Sequence, residues 1–201
     1  MYTNSKGQII QLGNELGKGG AANVYFHGTD KTKAVKIFKP DFLAKEFTIG
    51  KRLEQLNKLS NIAQLEINFG QSQKSIGSWP LEIVKDRNSR IVGYIMDTVN
   101  NGIDLSHVIM ARDKNAFYKF RNNTQYNIWK KHFTYHPEGI KNRFVLSYYI
   151  SIFFDKIYDL KTNDGKIIDL ELCNFDIKPN NILVSIESIS GKNHVVPYIL
   201  D

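Results

Sequence analysis

Asn174-Phe175-Asp176-Ile177-Lys178-Pro179-Asn180-Asn181-Ile182-Leu183-Val184 is the most informative stretch of this 201-residue chain. A carboxylate, an ammonium and an amide (Asp176, Lys178 and Asn181) fall within six residues, immediately before an apolar strand. A carboxylate can accept the proton of a hydroxyl nucleophile. A lysine two residues on can neutralise charge on a moving phosphoryl group. An Asn amide oxygen suits a magnesium ion, which prefers hard oxygen donors. A polar loop with a proline would share the composition but has no need of this order.

Two upstream segments carry complementary chemistry. Ala34-Val35-Lys36-Ile37 sets a lysine inside an otherwise apolar strand. Burying an ammonium is costly, so Lys36 sits either on a solvated face or beside an anionic partner. Gly17-Lys18-Gly19-Gly20-Ala21-Ala22-Asn23-Val24-Tyr25 lies between two strand-like runs. Its glycines let backbone N–H groups approach phosphate oxygens without an intervening Cβ. Taken alone, a glycine turn between strands is structural more often than not.

The elements around these segments follow from period and punctuation. Ile9–Leu12, Val24–Phe26 and Ala34–Phe38 read as strands, with Gly28–Lys31 as a turn. Pro40-Asp41 opens one helix with Asp41 as N-cap. Phe42, Ile49, Leu53 and Leu56 form its apolar face, and it ends near Ser60-Asn61. Leu81–Val84 and Ile91–Met96 form a hairpin about the polar turn Lys85–Arg90. This makes an α+β lobe of five antiparallel strands and one helix over residues 1–99, with Asn100-Asn101-Gly102 as a linker to residues 100–201. In the second part, 115–144 is basic and aromatic, 142–160 is a strongly apolar helix, and Ile182–Val184 and Val195–Leu200 are short strands around Ser190–Asn193.

Composition sets the outer bounds. Lys and Arg number 27 against 20 Asp and Glu, a net charge of +7, which permits a polyanionic partner without choosing one. No apolar run is long enough to span a membrane, and the first residues lack the apolar core of a signal peptide. A single cysteine, Cys173, excludes an internal disulfide framework and fits a reducing, cytoplasmic setting. Nucleic-acid binding through 115–144 is disfavoured, because no recognised nucleic-acid motif accompanies the patch.

The glycine turn with Val24, the A-V-K strand and D-I-K-P-N-N-I-L-V, in that order, resemble the protein kinase superfamily over roughly residues 8–201. Lys178-Pro179 after Asp176 resembles its serine/threonine members. Ser78-Trp79-Pro80, Val92–Met96 and Lys130–Phe133 are similar to segments of a bacterial kinase group. The resemblance implies a bilobal kinase-like fold, with a five-stranded antiparallel N-lobe carrying one helix and an incomplete, mostly helical C-lobe. It implies ATP and Mg2+ as cofactors and a protein hydroxyl as acceptor. Gly17, Gly19 and Gly20 would cover the phosphates, and Lys18 and Val24 belong with them to the cofactor-binding set. Lys36 would hold the α- and β-phosphates and pair with a helix glutamate, Glu46 in preference to Glu54. Met96 would be the gatekeeper, and Asp97 to Val99 would meet adenine through the backbone. Asp176 would be the catalytic base, Lys178 the γ-phosphate contact, and Asn181 and Asp201 the metal ligands.

The departures from that pattern carry their own implications. The third loop glycine is Ala22. Asn174-Phe175 stands where His-Arg precedes the base, so activity is expected without activation-loop phosphorylation. The chain stops at the Asp of the D-F-G motif. A fragment of a longer protein and a degenerate chain that binds nucleotide without efficient transfer are both expected alternatives. A missing segment or a partner would then cover the apolar 142–160 helix.

Overall fold

The computed structural model describes residues 1–46, 48–59, 66–69, 72–77, 80–99, 101–110, 120, 122–134, 137–158 and 179–200. The chain forms two compact units, residues 1–62 with 79–98, and residues 63–78 with 99–201.

The first unit is built on an antiparallel sheet. Its strands are β1 (Tyr2–Thr3), β2 (Ile9–Ile10), β3 (Leu12–Lys18), β4 (Ala22–His27), β5 (Lys33–Phe38), β8 (Glu82–Lys85) and β9 (Ile91–Asp97), in the order β2-β1-β8-β9-β5-β4-β3. The helices α1 (Pro40–Lys45) and α2 (Ile49–Leu59) follow β5. The hairpin β6 (Glu66–Phe69) and β7 (Ser72–Ser75) belongs to the second unit.

The expected five-stranded lobe with one helix is therefore corrected to seven strands and two helices. The physical reason lies in β5, which is buried on both faces. Ala34, Phe38, Tyr94 and Met96 share one core with Leu53 of α2. Val35, Ile37, Val84, Val92 and Ile95 form a second core, closed by Ile10 and Tyr2. Covering that second apolar face recruits the two short N-terminal strands. The single helix breaks at Glu46, which has φ −108° and ψ 74° and whose N–H donates to Phe42 O. Lys39 rather than Asp41 is the N-cap, since Pro40 takes the first helical position, where its missing N–H and fixed φ cost nothing. Phe42 stacks on Phe38 at 5.3 Å, and Leu53 packs over the same sheet face, so both helices continue one apolar stripe.

The second unit carries two further sheets beside its helices, which overturns the remaining part of the expected fold. It holds the β6–β7 hairpin and a three-stranded sheet, β10 (Ile103–Asp104), β11 (Ile182–Ile189) and β12 (Lys192–Ile199). Its helices are α3 (Leu105–Met110), α4 (Asn123–Phe133) and α5 (Pro137–Tyr158). The long β11–β12 pairing comes from its turn. Ser190 and Gly191 have φ of 50° and 75°, the two-residue turn that matches strand twist. Pairing then zips from Ile189–Lys192 to Ile182–Ile199, through polar residues with no strand signature of their own. The β6–β7 hairpin is held by Phe69, which packs on Tyr149 at 4.6 Å and His194 at 5.8 Å. Lys74 pairs with Glu187, whose carboxylate also accepts from the Tyr198 hydroxyl.

Helix α4 starts at Asn122, whose side chain accepts the Gln125 N–H at 2.9 Å. Arg143 of α5 joins three chain segments by donating to the carbonyls of Val108, Phe133 and Gly139. On α5, Phe144 and Tyr148 are 74 % and 63 % exposed. No helix among the described residues is long and apolar enough to cross a membrane.

Candidate functional site

In the first unit, strand register gathers the glycine turn and Lys36. Gly17 pairs with Val24 and Lys18 with Asn23. Val24 lies opposite Lys36 on β5, and Lys36 lies opposite Tyr94 on β9. Alternation puts Lys36 on the same face as Ala34 and Phe38, the face that α1 and α2 cover. The β3 side is irregular between Leu12 and Gly17, which bends the strand just before the turn. At the turn, Gly19 N–H donates to Ala22 O at 2.8 Å. A Cβ on Gly19 would stand 3.3 Å from that same oxygen, whereas one on Gly20 would meet nothing within 4 Å.

Lys36 is buried, with only 8 % of its surface exposed. Its Nζ lies 5.7 Å from the ring centroid of Phe38 and 5.6 Å from that of Tyr94. The ring faces attract the cation, but removal of water disfavours the charged form more. Burial pulls the Lys36 pKa down from 10.5 to about 8. The same burial pushes the Tyr94 hydroxyl far above its usual range, so Tyr94 is a neutral ring. Gly93 makes this arrangement possible. A Cβ there would sit 2.0 Å from the Lys36 carbonyl, so only glycine lets β9 approach β5 at this level.

The other expected nucleotide contacts of this unit are distributed around that face. Met96 is buried opposite Ala34. Asp97 ends β9, with its exposed carboxylate 2.5 Å from Lys33 Nζ. Thr98 N–H donates to Thr32 O at 2.9 Å. Glu46 occupies the break between the two helices, its carboxylate 3.7 Å from Arg52. Glu54 is exposed on α2.

In the second unit, Val99 is half-buried and Asn181 closes a 3-10 turn, Pro179–Asn181, that feeds β11. The Asn181 carbonyl accepts the Leu200 N–H at 2.9 Å. The β11–β12 register thus brings Asn181 beside the residue that precedes Asp201. Asp176, Lys178 and Asp201 themselves lie outside the described residues, as does Cys173. Among the described residues, no group of three or more His, Cys, Asp or Glu side chains lies together.

Sequence reasoning missed Phe38, Gly93 and Tyr94 as the surroundings of Lys36, and it missed Lys39 at the glycine turn. Two-residue alternation could have placed Phe38, but Tyr94 needed the β5–β9 register. In the basic, aromatic 115–144 stretch the described aromatics of α4 turn inward, while Phe144 on α5 is exposed. Trp129 and Phe133 are buried, Phe120 packs on Tyr126 and Trp129, and Lys130 and Lys131 are exposed.

No protein-family model matches the chain, and no curated protein is significantly similar to it.

Proposed function

We propose that the chain is an ATP- and magnesium-dependent protein serine/threonine kinase that transfers the γ-phosphate to a protein hydroxyl. The observation that carries this reading is Lys36: an ammonium buried between aromatic rings, one strand away from a two-glycine turn. A phosphate ester is a ligand that suits both a buried ammonium and a glycine turn.

In this reading Gly17, Lys18, Gly19 and Gly20 cover the phosphates, and Lys36 holds the α- and β-phosphates. Val24 and Met96 line the base, and the backbone from Asp97 to Val99 meets it. Asp176 orients the acceptor hydroxyl and takes its proton, and Lys178 contacts the γ-phosphate. Asn181 and Asp201 would hold magnesium, which supplies charge neutralisation at the phosphates. Catalysis is then positioning and electrostatics. A cytoplasmic location belongs to the same proposal. This reading takes a protein rather than a nucleic acid as the partner.

A second reading is a nucleotide-binding scaffold with little transfer. It is favoured because the turn and Lys36, which the β3–β4–β5 register brings together, serve binding rather than proton transfer. Calorimetric titration with ATP and magnesium, followed by an autophosphorylation assay, separates the two. The kinase reading expects binding and transfer in the wild type. Lys36→Ala should lose binding, and Asp176→Ala should keep binding but lose transfer. Binding without transfer selects the scaffold, and no ATP binding removes both.

A further inference from the structure

Lys39 touches the glycine turn twice. Its backbone N–H donates to Ala21 O at 2.8 Å, and its ammonium donates to Gly19 O at 2.7 Å. Those two bonds hold the residues on either side of Gly20. The N–H groups of Gly20 and Ala21 meet no acceptor among the described residues, and Gly20 is surrounded by open space. A turn with two exposed glycines otherwise samples many backbone states, and ordering it costs entropy. Lys39 is a firm anchor because Pro40 follows it. A residue before proline is restricted to extended backbone, and Lys39 has φ −71° and ψ 146°.

We propose that Lys39 is a positioning residue of the nucleotide site: by pinning Gly19 and Ala21 it presets the turn, so that the Gly20 and Ala21 N–H groups stand ready for a phosphate. This rests on the nucleotide reading above. Lys39 acts on the turn, not on the phosphate, so its effect follows the phosphate part of the ligand alone. Preorganisation raises affinity by removing an ordering cost at binding.

The test is calorimetric binding of ATP and of adenosine to wild type, Lys39→Met and Lys39→Arg. Lys39→Met should weaken ATP by roughly fivefold, the size of one net hydrogen bond. Adenosine affinity should not change, and Lys39→Arg, which can still donate to Gly19 O, should restore ATP binding. The ATP loss should persist at about 0.5 M salt, where screening shortens charge attraction to about 4 Å. Wild-type ATP affinity in Lys39→Met, an equal loss for adenosine, no rescue by Lys39→Arg, or a difference that vanishes in high salt overturns this inference alone. Absence of ATP binding by the wild type removes the nucleotide reading and this inference together.

Discussion

Replacing Lys36 with Met removes a cation from a largely buried position. Folding lowers the Lys36 pKa from 10.5 to about 8. The unfolded chain therefore keeps this proton up to about pH 10.5, while the folded chain gives it up near pH 8. Between those values the unfolded state binds more protons, so this lysine makes stability rise with pH. Below pH 8 both states carry the charge and the full burial cost of about 3 kcal/mol applies. Methionine fills a similar volume without a charge, so its stability carries no such slope. From pH 7 to pH 10 the wild type should gain roughly 2 to 3 kcal/mol relative to Lys36→Met. Urea unfolding of both proteins at pH 7, 8, 9 and 10 measures this, because every other titrating group is common to the pair and cancels in the difference. A difference that stays flat across the series, or one that moves against the wild type, would falsify the assignment of Lys36 as a desolvated ammonium.

The same titration predicts that ATP affinity falls about tenfold between pH 7 and pH 9, as Lys36 goes from mostly charged to mostly neutral; binding curves across that range check it, with Lys36→Met expected to be flat. Gly93→Ala should destabilise the protein by about 3 kcal/mol, because its Cβ meets the Lys36 carbonyl at 2.0 Å and must spread β5 from β9; a melting temperature within a degree of wild type would contradict the packing. Arg143→Met should cost about 2 kcal/mol by removing the side-chain donor shared by the carbonyls of Val108 and Phe133. Arg143→Lys should recover only part of this in denaturant unfolding, since one ammonium cannot span the places a planar fork reaches.

The central strands of the first unit were legible because Val24–Phe26, Ala34–Phe38 and Ile91–Met96 are β-branched or aromatic runs between turn residues. Strand β1 was not, since two residues carry no period and Tyr2 only helps close an apolar face made elsewhere, while Ile9–Leu12, read as one run, is divided between β2 and the start of β3. The β6–β7 hairpin was hidden by its polarity, Glu66–Phe69 and Ser72–Ser75, with Phe69 and Ile67 as its buried anchors. The break at Glu46 was invisible because Phe42, Ile49 and Leu53 stay in phase across it, both helices facing one sheet. At the site, Lys36 stood out as a lysine in an apolar strand, and that signal was purely local. Tyr94 and Gly93 required the register of β5 with β9. Lys39 acts through backbone carbonyls, and a side chain that serves main-chain oxygens leaves no pattern in a sequence.

The β6–β7 hairpin has a consequence for how this protein is made. Lys74 and the glutamate it grips are 113 positions apart, so the hairpin leaves the ribosome long before its seat exists. At ordinary elongation speeds that interval lasts roughly 6 to 20 seconds. Throughout it, Phe69 has no His194 on β12 to rest on. The nascent chain is therefore most open to mispairing, or to a chaperone, at this hairpin rather than at the seven-stranded sheet whose last strand follows within thirty residues.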